Sequence, residues 1–422
     1  MLWILPLLSL CALTGYWAWN ARLRRDCDAK LAEGAALLET AKYRQAVAAF
    51  DTAFALASRI TMGQGDRPIY CALHSAEALS QAGQKAPAYQ AAMAAYMMAD
   101  RQNECEYTLR LYRLMADLSE DNSFLYRALG MRQVVVAMLK QDVLRKTASA
   151  TSLPLAVELG KLGTALAAAG LPEHAVKALD DAAEILRQHP EEARSYSATL
   201  IQMGPLCSKL GQYDRAETAL KAALTLEKEQ GADSKGVEVL SELGSLYCAW
   251  GRYEEAFPHF EEAYRLQVRA CGASDARVGL ILSSYANCLR AAGRLQTAEE
   301  TATRAVKVLE MNQHPGLANS LGTLGAVIAA EGDYTRAVAM FEKADEASTR
   351  TDSAATPLDA AERLENHANA LEHLSRALEA EHLRSGAASI RSSLAAAPPA
   401  GDLFEADLEE LLQTPEWPRR RK

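Results

Sequence analysis

The chain has 422 residues, 49% hydrophobic but only 6% aromatic, with 45 basic against 54 acidic side chains and a formal net charge of −9. Alanine-rich, aromatic-poor composition suits close-packed helices and disfavours a sheet-rich fold. The acidic balance, without a basic stripe in the repeats, argues against nucleic acid as a partner.

Residues 1–21 hold no charged side chain, and Leu2 to Trp19 is predominantly apolar. At 1.5 Å per helical residue that stretch would span about 27 Å, close to a bilayer's hydrocarbon core. Tyr16, Trp17 and Trp19 read as an interfacial aromatic belt, and Arg22, Arg24 and Arg25 as the positive side that stays in the cytoplasm. The expectation is a single-pass transmembrane anchor over 1–21 with the rest of the chain facing the cytoplasm. The alternative is export after cleavage of a signal peptide; against it stand the missing basic n-region and the aromatics where a cleavage site would need small residues.

From there the chain repeats. A small residue recurs at Ala41, Gly83, Gly170, Gly211, Gly251, Gly293, Gly332 and Ser375, mostly 39 to 43 residues apart, with room for one degenerate copy between Gly83 and Gly170. Five residues after each comes alanine, from Ala46 to Ala380, and four further on a slot that is usually bulky, as in Phe50, Leu179, Leu220, Phe260 and Phe341. Three more residues restore alanine, as at Ala223 and Ala263. Spacings of four and three share one helical face, on which small side chains admit a neighbouring helix and the bulky one fills the gap. This is a second helix, B. Upstream, Leu240, Leu243, Gly244 and Tyr247, or Leu321, Leu324, Gly325 and Ile328, mark a first helix, A. A period of this size means stacked helical pairs sharing one core along the chain.

These residues resemble the tetratricopeptide repeat, with that family's small, aromatic and alanine slots at Gly244, Tyr247, Tyr253, Ala256, Phe260 and Ala263. The long period, and strings such as GSLYCAWGRYEEAFPHFEEAYRLQ, are similar to the repeats of kinesin light chains. The fold class implied is all-α: a right-handed solenoid of helical hairpins behind the transmembrane helix. Its expected organisation is an anchor at 1–21, degenerate repeats at 22–150, regular repeats at 151–392, a linker at 393–401, and an acidic amphipathic helix with a basic tail at 402–422. A short anchor followed by cytoplasmic repeats also resembles the bacterial lipopolysaccharide assembly protein B family. That family's paired CxxC zinc module has no counterpart here, the last cysteine being Cys288.

The resemblance implies a concave groove lined by helix A residues two before and one after the small residue of the Leu-Gly pair. Those slots hold Lys161 and Thr164, Gln202, Glu242 and Ser245, Ser284 and Asn287, Thr323 and Ala326, and Asn366 and Asn369. An asparagine amide both donates to and accepts from the backbone of an extended peptide, largely regardless of its side chains. The family's basic clamp for a carboxylate terminus is not reproduced, since Lys161 has no matching basic set.

No nucleotide loop, GxSxG or HExxH string occurs, and the eight cysteines form no CxxC pair. Neither an enzyme, a metal site nor a cofactor is expected, and the cysteines read as buried free thiols. Beyond Ser392 to Gly401, the stretch Asp402 to Gln413 places Leu403, Phe404, Leu408, Leu411 and Leu412 at helical spacing. That helix either caps the last repeat or folds back to block the groove. The functional expectation is a membrane-tethered scaffold that holds a protein or peptide partner in its groove. The alternative is a regulatory or assembly subunit docking on a membrane enzyme or complex partly through its transmembrane helix.

Overall fold

The computed structural model describes residues 4–61, 66–102, 105–119, 125–144, 152–229, 233–350 and 357–395. Among them are eighteen α-helices, one short 3-10 turn and no strand. Taken in pairs they form nine hairpins, and the chain divides into two compact units at residues 158 and 159.

The first unit contains α1 (Ile4–Glu39), α2 (Tyr43–Thr61), α3 (Asp66–Gln81), α4 (Lys85–Gln102), α5 (Cys105–Leu118) and α6 (Leu125–Leu144). The apolar start of α1 is not a membrane span: among the described residues no helix is long and apolar enough to cross a membrane. The leucine-rich run from Ile4 to Leu13 gives way to Thr14, Gly15 and Asn20, and ten residues reach only about 15 Å, half of what a bilayer core requires. The same helix continues as helix A of the first repeat, where Cys27, Leu31 and Leu37 join Ala53, Ala57 and Phe50 of α2. The single-pass anchor expected over 1–21, and the cytoplasm-facing placement that depended on it, are therefore corrected.

The third repeat, weakest in sequence, departs from an apolar core. Arg132 of α6 is 1% exposed and lies between Asp117 (2.8 Å) and Glu158 (3.6 Å), which is 3% exposed and also receives Arg113 at 3.0 Å. Arg132 stands in the bulky slot of this copy, while the small and apolar slots around it, Ala116, Ala128 and Val135, stay buried.

The second unit follows with the end of α7 (Leu153–Ala168), then α8 (Pro172–Arg187), α9 (Ala193–Lys209), α10 (Tyr213–Glu229), α11 (Asp233–Ala249) and α12 (Tyr253–Cys271). It ends with α13 (Ala276–Ala291), α14 (Leu295–Met311), α15 (Leu317–Ala330), α16 (Tyr334–Arg350), α17 (Pro357–His373) and α18 (Ala377–Ala395). Odd-numbered helices are A and even-numbered ones B. Helices A of neighbouring hairpins, α9 to α11, α11 to α13, α13 to α15 and α15 to α17, approach one another within 8 Å between Cα atoms, whereas their B partners do so less. Helices A thus line the inner side of this stack.

Two devices recur along the hairpins. All eight recurring turn residues take a left-handed conformation, from φ 56° at Ala41 through 77° at Gly251 to 60° at Ser375. At Gly251 the amide N–H donates to the Cys248 carbonyl (3.0 Å) and that of Arg252 to the Tyr247 carbonyl (2.8 Å), closing helix A before B begins. The second device is a wedge. A Cβ at Gly244 would stand 2.8 Å from the Phe260 ring, and the same near-contact recurs between Gly34 and Phe50, Gly163 and Leu179, Gly204 and Leu220, and Gly325 and Phe341. In these five hairpins the bulky slot of helix B occupies the space left by the glycine of its own helix A, whereas α4, α14 and α18 carry Ala92, Ala302 and Arg384 in that slot. The expected linker at 393–401 begins inside α18; its remainder and the acidic helix at 402–422 lie outside the described residues.

Candidate functional site

The expected groove residues all fall on helices A of the second unit: Lys161 and Thr164 on α7, Gln202 on α9, Glu242 and Ser245 on α11, Ser284 and Asn287 on α13, Thr323 and Ala326 on α15, Asn366 and Asn369 on α17. None of them is fully buried. Their positions follow from the wedge: the small residue faces helix B, so its neighbours at −2 and +1 turn toward the inner side.

Asn287, Thr323, Ala326 and Asn366 come together in one cleft of about 180 Å³ over α15, where Asn319, Arg290 and Arg363 join them and Asp359 and Glu362 stand on the α17 side. Arg290 donates from Nε and Nη2 to Asn287 Oδ1 (3.1 and 2.8 Å), which leaves the asparagine's amide hydrogens for a ligand. Arg363 is 8% exposed; its Nε donates to Asp345 Oδ1 (3.2 Å), and Asp345 Oδ2 lies 3.3 Å from His367 Nδ1. Gly322 makes room for this arginine, because a Cβ there would meet the Arg363 stem at 3.2 Å. The cleft offers amides, a hydroxyl and charged groups of both signs, and no nucleophile paired with a base.

The remaining slots are distributed outside the cleft. On α7, the Thr164 hydroxyl stands 3.0 Å from the Gly160 carbonyl and 3.3 Å from Gln202 Oε1, linking the inner faces of α7 and α9. Asn369 is engaged from below, its Oδ1 accepting from Arg384 Nη2 (2.9 Å), an arginine that also binds Glu372. Glu242 is half-buried, and loss of water contact, reinforced by the Glu238 carboxylate and opposed by Lys209, raises its pKa to about 7. At neutral pH this slot exchanges a proton readily.

A further row of inner-face positions lies one helical turn earlier, thirteen residues before the turn residue, at Tyr70, Val157, Glu238, Leu280, Asn319 and Glu362. Tyr70, Val157 and Leu280 are 36%, 51% and 39% exposed, large apolar side chains left uncovered where a partner could cover them. Extending the helical spacing of the slots by four residues finds this row. In the first unit, Tyr70 meets His74 edge to face at 4.2 Å, and His74 Nδ1 lies 2.9 Å from Glu77, which also accepts from Arg110 at 2.7 Å. That polar and aromatic cluster occupies the equivalent slots of the second repeat.

Comparison with known proteins agrees with this architecture. A tetratricopeptide repeat family profile matches residues 198–230, 237–311 and 277–349. No curated protein matches the chain. Among solved structures, a Rap protein complexed with Competence and Sporulation Factor is 14% identical and superposes with a TM-score of 0.50 over 88% of this chain and 99% of its own. Aspartyl phosphate phosphatase F from Bacillus subtilis gives 11% identity and a TM-score of 0.53 over 87% and 94%. A Podosopora anserina putative kinesin light chain with nearly identical tetratricopeptide-like repeats gives 18% identity and a TM-score of 0.40 over 48% and 98%. At these identities the likeness is one of fold. The chain carries tetratricopeptide repeats at 198–230 and 237–349 within an all-helical, tetratricopeptide-like stack.

Proposed function

We propose that the protein is a non-catalytic interaction scaffold whose regular repeats, over 151–392, bind an extended segment of a protein partner along the inner faces of helices A. The observation that carries this reading is the cleft over α15, where Asn287, Thr323 and Asn366 from three successive hairpins converge on one site. Amides on both flanking helices suit a chain running across α13, α15 and α17: Asn287, its Oδ1 taken by Arg290, offers its N–H groups to a peptide carbonyl, and Asn366 can both donate and accept. The uncovered Leu280 gives an apolar contact beside that path. A similarly folded Rap protein is seen complexed with Competence and Sporulation Factor, which is support at the level of fold.

Of the ten polar slots, Asn287, Thr323 and Asn366 would contribute most, because they share the cleft, and Asn369, outside it, less. The experiment is selection of displayed random peptides on the full chain, followed by affinity measurement of a selected peptide against the Asn287→Ala, Asn366→Ala double variant. Losing two hydrogen-bonding amides should weaken binding by about tenfold or more with unchanged helicity. Equal affinity for both proteins would count against the groove.

A further inference from the structure

Helices B of the second unit lie on the outer side of the stack, where furrows run between one B helix and the next. Between α12 and α14 the furrow is bridged. Arg304 Nη2 donates to the Tyr264 hydroxyl (2.8 Å), and the guanidinium lies over the ring at 5.5 Å from its centroid. Tyr264 comes thirteen residues after its turn residue, Gly251, and Arg304 eleven after the next, Gly293. At the same two places α8 and α10 carry Ala183, thirteen after Gly170, and Ala222, eleven after Gly211.

Two alanines are too short to meet across the furrow. A trough of about 550 Å³ remains between α8 and α10, floored by Tyr196, Leu200 and Met203 of α9 and walled by Ala183, Ala219 and Ala222. Both B helices pack on α9 rather than on each other.

We propose that this trough is a second docking site, separate from the inner face, that seats one side of a basic amphipathic helix from a protein partner. Its shape selects a helix. The trough is open to solvent and would leave much of a small molecule wet, whereas small-molecule sites bury most of their ligand. A docking helix buries only one stripe, with apolar residues at i, i+3 or i+4, and i+7. Along α10 the wall runs from Arg215 to Ala222, seven residues or about 10 Å, which is the length of such a stripe. Alanine on both walls lets the partner's backbone approach closely.

The rim sets the charge. Asp180, Asp181 and Glu184 stand on the α8 wall, against Arg187 of the same helix and Arg215 of α10, so the rim is net negative. Both arginines are already engaged: Arg215 Nη2 binds Asp180 at one end of the trough, and Arg187 Nη2 donates to Glu184 at 2.8 and 3.0 Å. An acidic helix would meet carboxylates and committed cations. Lysine or arginine beside the apolar stripe instead finds carboxylates, each of which can accept more bonds than one arginine supplies.

The test selects binders to the full chain from a displayed library of single helices, randomised over two turns of one face and its flanks. Selected helices should carry apolar residues at i, i+3 or i+4, and i+7 with lysine or arginine beside them, and should protect α8, α9 and α10 from hydrogen exchange. An Ala183→Tyr, Ala222→Arg variant rebuilds the bridge seen between α12 and α14, and with unchanged helicity by circular dichroism it should bind the same helices at least about tenfold more weakly. If that variant does not fold, the footprint and the flank charges on the unaltered chain decide. The absence of any selected helix that protects α8 to α10, binders there with acidic flanks, or full affinity for the filled variant would each overturn the proposal.

Discussion

The wedge that seats α12 against α11 makes a prediction opposite in sign to helix propensity. Gly244 lies inside α11, where replacing glycine by alanine ordinarily stabilises by about 1 kcal/mol. Here the new Cβ would stand 2.8 to 2.9 Å from three atoms of the Phe260 ring, which is 0% exposed and held among Tyr247, Ala256 and Ala263. Overpacking costs about 1–3 kcal/mol, and a ring enclosed on all sides belongs near the upper end. Subtracting the propensity gain leaves Gly244→Ala less stable by about 2 kcal/mol. In a Phe260→Ala background the clash is gone, and the same substitution should stabilise by about 1 kcal/mol. The assay is a double-mutant cycle read from urea unfolding, with amide hydrogen exchange in α11 and α12 as the local measure, because repeat arrays need not unfold in two states. A Gly244→Ala protein stabilised equally in both backgrounds would refute the wedge.

Other substitutions probe the remaining parts of the account. Ser375 adopts φ 60° where six of its seven counterparts are glycine, so Ser375→Gly should gain about 0.5–1 kcal/mol in urea unfolding, and Gly251→Ala should lose about 1 kcal/mol. Arg132→Met removes the buried arginine that bonds Asp117 and leaves Glu158 paired with Arg113; it should cost about 1.5–3 kcal/mol, read as lost exchange protection in α5 and α6. Glu242 carries a pH signature. Because folding raises its pKa from 4.5 to about 7, it has no effect on stability below about pH 4.5, lowers stability progressively as pH rises toward 7, and exacts its full penalty above that. Glu242→Gln should therefore flatten the fall in stability between about pH 4.5 and pH 7, by at most about 3 kcal/mol, as measured by unfolding across that range.

The turn residues and the wedge were legible in sequence because both are local and repeat: a left-handed turn asks for one small residue, and a bulky B slot asks for a small A slot at a fixed distance. Ala41 and Ser375 were legible through register alone, without glycine's help. The groove was legible only in outline. Helical spacing places Asn287, Thr323 and Asn366 on the inner side, but which of them share a cleft depends on how successive hairpins approach. Arg384 reaching Asn369 from α18, and Arg363 settling against Gly322, depend on partners 15 and 41 residues away that no periodicity specifies. The buried charge at Arg132 was invisible for the opposite reason, since it stands in the bulky slot by which the other repeats are recognised. The apolar start of α1 misled because charge-free composition resembles a membrane span, whereas Thr14, Gly15 and Asn20 interrupt it and the helix runs on into the first repeat.

The central claim, that helices A of the second unit form the binding face, is tested most directly by a hydrogen-exchange footprint of a selected peptide on the full chain. Protection concentrated in α13, α15 and α17, and lost with Asn287→Ala and Asn366→Ala, is the predicted result. Protection confined to helices B such as α10, α12 and α14 would contradict it.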